Sequence, residues 1–380
     1  MSAIYLHIPF CKQACHYCNF HFSTTLRSKP AMVQAILREL ELQRDYLGGA
    51  TLKSIYFGGG TPSLLDLAEL EQIFEKIYAL HPVAGDAEIT LEANPDDLTL
   101  EKLRSLRNHT PVNRLSIGIQ SFHDADLQWM NRAHTAEHAR ACLQDAAATG
   151  FQDLTIDLIY GAPSTSDAHW AENVQIALDA GIPHLSCYCL TVEEGTALAH
   201  FVRQGRSEPV DEAKAVRQFE YLQDAAAARG YEHYEISNFA LPGRYARHNS
   251  AYWRGAKYLG VGPSAHSFDG RSRQWNVANN ARYLKSMEAG ELPAEREQLT
   301  TAQRYNEYVM TSLRTMWGCA ESQIETFGEP YAGYFREEIR QFMQNGTVEQ
   351  GEDAAYRLTR SGKVLADQIA SALFWVEDAE

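Results

Sequence analysis

Three cysteines lie close together near the start of the sequence, in the run Cys11-Lys-Gln-Ala-Cys15-His-Tyr-Cys18. Cysteine thiolates hold iron–sulfur clusters, and cysteines this close on one loop can reach several corners of a single cluster. Three such ligands leave one iron of a four-iron cluster without a protein ligand. The C-x3-C-x2-C spacing therefore predicts a [4Fe–4S] site with one open position.

Two other interpretations of the cysteines are weaker. A structural zinc site takes four ligands, usually as two separated pairs, and the sequence has no second pair with that spacing. A disulfide framework is not expected either, because the seven cysteines are an odd number and the remaining four are scattered. We expect those four, Cys142, Cys187, Cys189 and Cys319, to be ordinary buried residues.

Short apolar runs alternate with amphipathic stretches over the first half of the chain. The predicted strands are Ile4 to Ile8, Ser54 to Phe57, Glu88 to Glu92, Arg114 to Ile119, Leu154 to Ile159 and Leu185 to Leu190. The predicted helices are one with the apolar stripe Val33, Ile36, Leu37 and Leu40, followed by 64–80, 124–148, 168–180 and 212–229. This alternation indicates parallel βαβ units, so we expect an α/β fold with an incomplete parallel (β/α)6 barrel.

Sites on such barrels are built from the loops that follow the strands. The cysteine run follows the first predicted strand, and the glycine turn Gly58-Gly59-Gly60-Thr61-Pro62 follows the second. Glu92, Gln120 and Asp157 lie at the ends of the next three strands, and Arg132 lies in a following helix. Polar residues at successive strand ends are best explained by one shared ligand.

This arrangement resembles the radical S-adenosylmethionine (SAM) superfamily. In that superfamily the amino and carboxylate groups of the SAM methionine moiety chelate the open iron. One electron from the reduced cluster then cleaves the sulfonium to give a 5′-deoxyadenosyl radical. The resemblance implies a [4Fe–4S] cluster and SAM as cofactors, with the protein supplying their position.

Four longer runs narrow the resemblance to the oxygen-independent coproporphyrinogen III oxidase group. They are Tyr5-Leu-His-Ile-Pro-Phe-Cys11, Phe57-Gly-Gly-Gly-Thr-Pro62, Ser116-Ile-Gly-Ile-Gln-Ser-Phe122 and Asp157-Leu-Ile-Tyr-Gly161. The likeness continues to the C-terminus. It implies that SAM is bound by Tyr5, Tyr17, Gly59, Gly60, Thr61, Glu92, Gln120, Arg132 and Asp157. Some of these positions contact a second cofactor molecule in the oxidases.

Two features differ from the oxidases. They have a fourth cysteine two residues after the third, where this sequence has Phe20, and they have an N-terminal extension where this sequence starts almost at the first strand. Both features are those of a sister group, the HemW haem chaperones. That group carries an H-N-x-x-Y-W motif tied to haem binding, present here as His248-Asn249-Ser250-Ala251-Tyr252-Trp253.

The motif lies in a basic island. Residues 241–285 hold eight basic residues and one acidic residue, although the whole chain has a formal charge of −15. A confined basic island indicates a site for one anionic ligand, because a nucleic-acid binder usually spreads positive charge over a wider face. The alternative is a solvated surface loop that lacks acidic residues.

Each residue of the island can contribute to haem binding. His248 can offer a neutral imidazole to the iron, while Tyr252 and Trp253 can stack on the macrocycle. The side chains that can pair with the propionates are Arg244, Arg247, Arg254 and Lys257. The alternative for His248 is a packed, hydrogen-bonded residue, and His266 is a second, weaker candidate ligand.

We expect three parts in the chain: the barrel (1–240), the basic haem-binding segment (241–285) as a long irregular stretch that closes or flanks the barrel, and a C-terminal helical or winged-helix-like module (286–380). The module has predicted helices at 304–316 and 361–374. It contains eight basic and 17 acidic residues, which argues against DNA binding.

The expected function is a haem chaperone that binds haem and passes it to a client, such as a respiratory protein, with an electron donor for the cluster as a further partner. The alternative is coproporphyrinogen III oxidation or a related radical reaction on a tetrapyrrole. The basic island fits both, whereas Phe20, the start of the sequence and the H-N-x-x-Y-W motif favour the carrier. The sequence has no long apolar run and no signal-peptide pattern, so we expect a cytosolic protein without stable membrane insertion.

Overall fold

The computed structural model describes residues 2–376, and most of its core belongs to a twelve-stranded sheet. The centre of the sheet is six parallel strands that neighbour one another in chain order. They are β1 (Ser2–Ile8), β2 (Leu52–Gly59), β3 (Val83–Ala93), β4 (Arg114–Gln120), β5 (Asp153–Tyr160) and β6 (His184–Cys189). This confirms the predicted α/β fold with a mainly parallel sheet.

Helices follow each of these strands, and most of them bury residues in the same core as the sheet. They are α1 (Lys29–Leu42), α2 (Leu67–Leu80), α3 (Leu100–His109), α4 (Asp124–Trp129), α5 (Ala136–Ala148), α6 (Asp167–Asp179), α7 (Ala197–Arg203) and α8 (Glu212–Ala228). The single helix predicted over 124–148 is wrong, because α4 and α5 are separate. Asn131 between them has a left-handed backbone (φ 58°), and the Thr135 side chain caps the start of α5.

The sheet continues beyond both sides of the parallel strands. On the β6 side it adds the antiparallel strands β7 (Glu232–Glu235) and β8 (Asn238–Ala240). On the β1 side it adds β9, which is parallel to β1, and then three antiparallel strands. The elements of this side are α9 (Arg247–Trp253), β9 (Lys257–Val261), β10 (His266–Phe268), β11 (Ser272–Asn276), α10 (Asn280–Ala289) and β12 (Ala294–Gln298).

The basic segment is therefore regular, and the prediction of a long irregular stretch is wrong. The strand β11 was hidden in the sequence because its buried residues are polar: Ser272, Gln274 and Asn276. Gln274 donates a hydrogen bond to Gln43 (2.7 Å), and Asn276 donates one to Glu39 (2.6 Å), both on α1 or directly after it. A strand whose buried face is polar lacks the alternating apolar pattern from which strands are predicted.

The C-terminal part is a set of helices around a small sheet. Its elements are α11 (Thr301–Leu313), β13 (Cys319–Ala320), α12 (Glu321–Glu325), α13 (Glu329–Gln344), β14 (Val348–Gln350), β15 (Ala355–Leu358) and α14 (Ala366–Ala372). The strands form an antiparallel sheet in the order β13-β15-β14. Two backbone hydrogen bonds join this part to β7 and the residue after it: Met316 to Tyr234 (2.9 Å) and Ile236 to Arg314 (3.0 Å). Within residues 2–376, no helix is long and apolar enough to cross a membrane.

Candidate cofactor cavity and haem-motif groove

A cavity of about 420 Å³ lies at the carboxyl ends of the parallel strands. All three cysteines of the loop after β1 line it. So do most of the residues predicted to bind SAM, namely Tyr17, Gly59, Gly60, Thr61, Glu92, Gln120, Arg132 and Asp157. The structure brings these residues together because parallel strands end at one edge of the sheet.

Tyr5 is placed differently from the other predicted SAM residues, since it does not line the cavity. Its ring stacks on Tyr56 with the centroids 6.0 Å apart, and its hydroxyl lies 3.3 Å from His7 Nδ1. A Cβ atom on Gly58 would come within 2.9 Å of both tyrosine rings. Tyr5 therefore packs behind the glycine turn and supports it from inside the barrel.

Arg132 connects the cysteine loop to two neighbouring strand ends. Its Nη1 donates to Cys15 Sγ (3.3 Å), and its Nη2 donates to Asn94 Oδ1 (2.6 Å) and to the Gly118 carbonyl (2.8 Å). Its Nε is buried and has no partner among the described residues. A buried, unpaired guanidinium N–H in a cavity wall is accounted for by a ligand that supplies the acceptor.

The backbone around the cavity is strained at one position and closely packed at another. Gln120, at the end of β4, is buried and has φ 64°, which is uncommon for a residue other than glycine. Such strain concentrates at ligand sites, where the surrounding structure holds it in place. A Cβ on Gly60 would come within 2.5 Å of the Phe10 carbonyl, so this glycine turn must pack directly against the start of the cysteine loop.

Two carboxyl groups at the base of the cavity have raised pKa values. The pKa of Glu92 is raised to about 8: burial is the main cause and the nearby Asp157 adds to it, while hydrogen bonds from Tyr56 and the Gly59 backbone partly oppose the shift. Burial also raises the pKa of Asp157 to about 7, against the opposing effects of Arg132 and Ser186. A ligand that brings positive charge or hydroxyl groups would stabilise the ionised forms.

The cysteine thiols are partly exposed at the same cavity. Burial raises the pKa of Cys11 to about 11, and it also raises the pKa of Cys18. Thiolates here need a strong positive partner, and an all-sulfur donor set suits iron–sulfur chemistry. Phe20, where the oxidases have a fourth cysteine, is 68% exposed and lines the cavity. Among the described residues, no three His, Cys, Asp or Glu side chains are grouped to hold a single metal ion.

Several residues of this cavity were not found from the sequence. Asn94 joins Arg132 to Thr61, to which it donates a hydrogen bond of 3.1 Å, and Tyr188 and Cys189 line the wall at the end of β6. Their positions directly after or at the end of a strand are the signal that could have identified them. The expectation that Cys189 is buried is wrong, because β6 ends there, whereas the other three scattered cysteines are buried as expected.

The H-N-x-x-Y-W motif lies at the opposite end of the barrel. His248 Nδ1 is hydrogen-bonded to Ser54 Oγ (2.9 Å), and Ser54 is in register with Ala3, near the start of β1. Roughly 16 Å of extended strand separates Ala3 from Ile8, where β1 ends before the cysteine loop. The His248 and Arg247 backbone N–H groups donate to the two Glu88 carboxylate oxygens (2.8 and 2.9 Å), which fixes the start of α9 on the barrel.

The structure divides the motif between two places. The His248 ring packs on Tyr56 with the centroids 4.8 Å apart, and Asn249 lines a small internal cavity of about 30 Å³. Tyr252 and Trp253, one helical turn further along α9, instead line a groove of about 600 Å³. The four predicted haem residues therefore do not share one surface.

The groove lies between α9, the strands β9 to β11, and the C-terminal part. Its walls contain aromatic and basic residues from all three, which are Tyr252, Trp253, Arg254, Tyr258, Phe268, Arg273, Arg304, Tyr308, Trp317 and Phe327. Apart from Tyr252, Trp253 and Arg254, these residues were not predicted as binding residues. No local pattern marks Trp317 or Arg304, because they reach the groove only through the packing of the C-terminal part.

The basic island contributes fewer free charges than expected. Arg244 forms an ion pair with Asp153 (2.7 Å), and Arg247 lies 3.6 Å from Asp86, so neither is available in the way predicted. Arg254 has no carboxylate within ion-pair distance among residues 2–376, and it lies over the Trp317 ring at 5.3 Å. His266 stacks on Trp275 and does not line the groove.

The fold and the cysteine loop define a radical SAM protein. A sequence model of the Radical SAM superfamily matches residues 5–192. The structure is similar to that of the radical SAM enzyme coproporphyrinogen III oxidase (HemN) from Escherichia coli, with a TM-score of 0.83 over 98% of this chain and 90% of that chain. At 24% sequence identity, this likeness shows the shared fold.

Nearly full-length relatives identify the family more closely. The heme chaperone HemW of Mycobacterium tuberculosis (strain H37Rv) is 34% identical over 375 residues, which cover 97% of this chain and 94% of the relative. The heme chaperone HemW of Bacillus subtilis (strain 168) is 32% identical over 377 residues, 98% of this chain and 99% of the relative. Within the superfamily, the chain belongs to the HemW family.

The cavity residues fit the cofactors that the superfamily implies, a [4Fe–4S] cluster and SAM. Three thiols on one loop provide the sulfur donors. The unpaired Arg132 Nε can donate to a ligand, and the buried carboxyl groups of Glu92 and Asp157 can accept from one. The cavity thus offers separate positions for a cluster and for a polar organic molecule beside it.

Proposed function

We propose that this protein is a haem chaperone, which binds haem in the cytosol and transfers it to acceptor proteins such as a respiratory haem protein. The likeness to proteins named heme chaperone HemW supports this proposal, because it extends over nearly the whole chain. The motif His248–Trp253 supports it from within the sequence.

We infer that Cys11, Cys15 and Cys18 hold the cluster and that SAM occupies the rest of the cavity. When bound, the cluster and SAM supply one-electron chemistry. The chain's own residues position them: the glycine turn at Gly59, Gly60 and Thr61 allows a close approach, and Arg132 fixes the cysteine loop against its neighbours. A protein that donates electrons to the cluster is a further proposed partner.

The observation that carries the chaperone proposal is the position of the haem motif. The first turn of α9 lies at the amino ends of the strands, whereas the cysteine loop lies at their carboxyl ends. The groove that Tyr252 and Trp253 line shares no lining residue with the cofactor cavity, so a molecule bound in this groove is kept apart from that cavity. Such separation suits a cargo that must leave unchanged, and it does not suit the substrate of a radical reaction.

The test is a haem-transfer assay on anaerobically reconstituted protein. We expect about one haem to bind per chain and to move to an apo haem protein. The change in the Soret absorption measures both steps. Coproporphyrinogen III, added under the same reducing anaerobic conditions with SAM, should remain unreacted. Robust turnover of coproporphyrinogen III would overturn the chaperone proposal.

A further inference from the structure

The groove beside α9 has the size and surface of a site for a flat aromatic ligand. Its volume of about 600 Å³ falls within the usual range of roughly 300–1,000 Å³ for cofactor sites. Trp253 and Trp317 line it from α9 and from the turn after α11, and Phe268 lines it from β10. Aromatic rings from opposite walls can stack on a macrocycle placed between them.

The charge of the groove suits a ligand with two carboxylates. Arg254 and Arg304 line it and are exposed, and neither has an ion-pair partner among the described residues. Glu307 is the one carboxylate in the described lining. It is already held by two hydrogen bonds from Arg273, at 2.6 and 3.1 Å. The groove therefore presents unpaired positive charge that can pair with the two propionates at the edge of a haem.

Tyr252 is the side chain in the groove best placed to meet a metal. It is 39% exposed, and within residues 2–376 its hydroxyl makes no hydrogen bond. Next to it, Tyr258 accepts a hydrogen bond from Arg273 Nη1 (3.1 Å), and the two tyrosine rings lie 5.7 Å apart. Phenolate oxygen is a known ligand of haem iron.

The electrostatics of Arg273 show that both phenols lie close to its charge. Burial lowers the pKa of Arg273, but the Glu307 carboxylate and the oxygens of Tyr258 and Tyr252 more than compensate, so that the pKa is raised. Arg273 therefore remains a cation at any working pH.

His248 is poorly placed to take this role. Its Nδ1 is engaged with Ser54, its ring packs on Tyr56 inside the barrel, and it does not line the groove. Burial lowers the pKa of His248 to about 4, so the ring is neutral and acts as a packed, hydrogen-bonded support for α9. The described lining of the groove contains no histidine.

We propose that haem lies in the groove between α9, the strands β9 to β11 and the turn after α11, with Tyr252 as the iron ligand. In this arrangement His248 is a positioning residue that holds α9 on the barrel. The proposal rests on the proposed haem-chaperone function and names the site at which that function is carried out.

The first test compares Tyr252→Phe with Tyr221→Phe, a control tyrosine on α8 with nearly the same exposure, 40%. Each variant is titrated with ferric haem and with iron-free protoporphyrin IX. Tyr252→Phe should bind ferric haem at least tenfold more weakly and lose the phenolate-to-iron charge-transfer band. Its affinity for protoporphyrin IX should stay within about twofold of wild type, because only the bond to iron is lost. Tyr221→Phe should match wild type with both ligands.

The second test removes the walls of the groove. Trp317→Ala and Arg304→Glu should each lower the affinity for ferric haem and for protoporphyrin IX alike, by about tenfold. The iron content of the cluster should be unchanged. Arg340→Glu is the matched control for the charge change, since Arg340 lies exposed on α13 away from the groove. It should leave both affinities unchanged.

His248→Gln separates positioning from ligation. We expect this variant to bind haem and protoporphyrin IX more weakly by the same factor. The haem that still binds should keep the phenolate-to-iron band. If Tyr252→Phe and Trp317→Ala bind ferric haem like wild type, or if His248→Gln alone abolishes the wild-type haem spectrum, the groove assignment is wrong. If the wild-type protein binds no haem at all, the proposed function itself fails.

Discussion

The cofactor cavity and the haem-motif groove lie at opposite ends of the same parallel strands, and they are built in different ways. The cavity is assembled from consecutive strand ends, from the loop after β1 to the end of β6. The groove is assembled from three segments, of which the last, around Trp317, is more than 60 residues beyond the motif. The comparison shows that one end of this barrel follows the general rule of the fold, while the other depends on how an added part packs.

The two sites also differ in their electrostatics. The cavity holds buried carboxyl groups with raised pKa values, close to thiols and to the buried Arg132. The groove instead presents the exposed cations Arg254 and Arg304. Buried ionisable groups suit cofactors that stay in place, and exposed cations suit an anionic cargo that must be released.

The largest effect is expected at the cysteine loop. Cys15→Ser should remove nearly all cluster iron after anaerobic reconstitution, because a three-cysteine site has no spare ligand. Cys189→Ser is the matched control, since this cysteine lines the same cavity outside the loop. Iron and sulfide content and the visible absorption measure the result. Haem should still bind to the Cys15 variant, and its loss would show that the two sites are not independent.

Ionisation of the Glu92 carboxyl group should lower the unfolding free energy of the cofactor-free protein as the pH rises. Its folded pKa of about 8 lies above its ordinary value of 4.5, so its contribution to stability is complete below about pH 4.5 and is lost as the pH rises through 8. The loss at full ionisation is about 5 kcal/mol. Urea unfolding at pH 5, 7 and 9 should show this decline in wild type and a smaller one in Glu92→Gln.

Glu71→Gln, at an exposed position on α2, is the control for that experiment. It should follow the wild-type pH dependence. If Glu92→Gln also follows the wild-type pH dependence, the Glu92 carboxyl group does not ionise between pH 5 and 9. The cavity then lacks the titrating buried carboxyl group that distinguishes it from the groove.

Replacing Glu88 should weaken haem binding in the groove and leave cofactor binding in the cavity unchanged. Glu88→Ala removes the acceptor of two backbone N–H groups at the start of α9, which should cost about 2 kcal/mol of unfolding free energy. Haem affinity should fall as α9 loses its anchor, while cluster iron and SAM binding remain. Glu88→Gln, which keeps one acceptor oxygen, should show the smaller effect in both haem titration and urea unfolding.

The smallest effect is expected at the rim of the groove. Arg254→Ala should lower the affinity for haem by roughly threefold at low salt and by less at high salt, because salt screens exposed charge pairs. Arg244→Ala removes a cation of the same basic segment that is paired with Asp153 outside the groove. Haem titrations at two salt concentrations should distinguish the variants, and equal losses would mean that only the overall charge matters.

The two sites also show what could be predicted from this sequence. Gln120 was found because it ends β4. Glu92 and Asp157 were found because they lie near the carboxyl ends of β3 and β5, which the parallel fold brings together. The strand β11 of the basic segment could not be found, because its residues Gln274 and Asn276 are buried as polar partners of α1 and of the residue after it. Trp317 could not be assigned to the groove, since no local pattern encodes the contact between the C-terminal part and α9.

The most direct test of the central claim, that haem and SAM occupy separate sites at opposite ends of the barrel, is a SAM titration of cluster-reconstituted protein with and without bound haem. We expect SAM to bind with the same affinity, within about twofold, in both cases, and to leave the haem spectrum unchanged. Displacement of SAM by haem, one molecule for one, would place haem in the cofactor cavity and contradict the account.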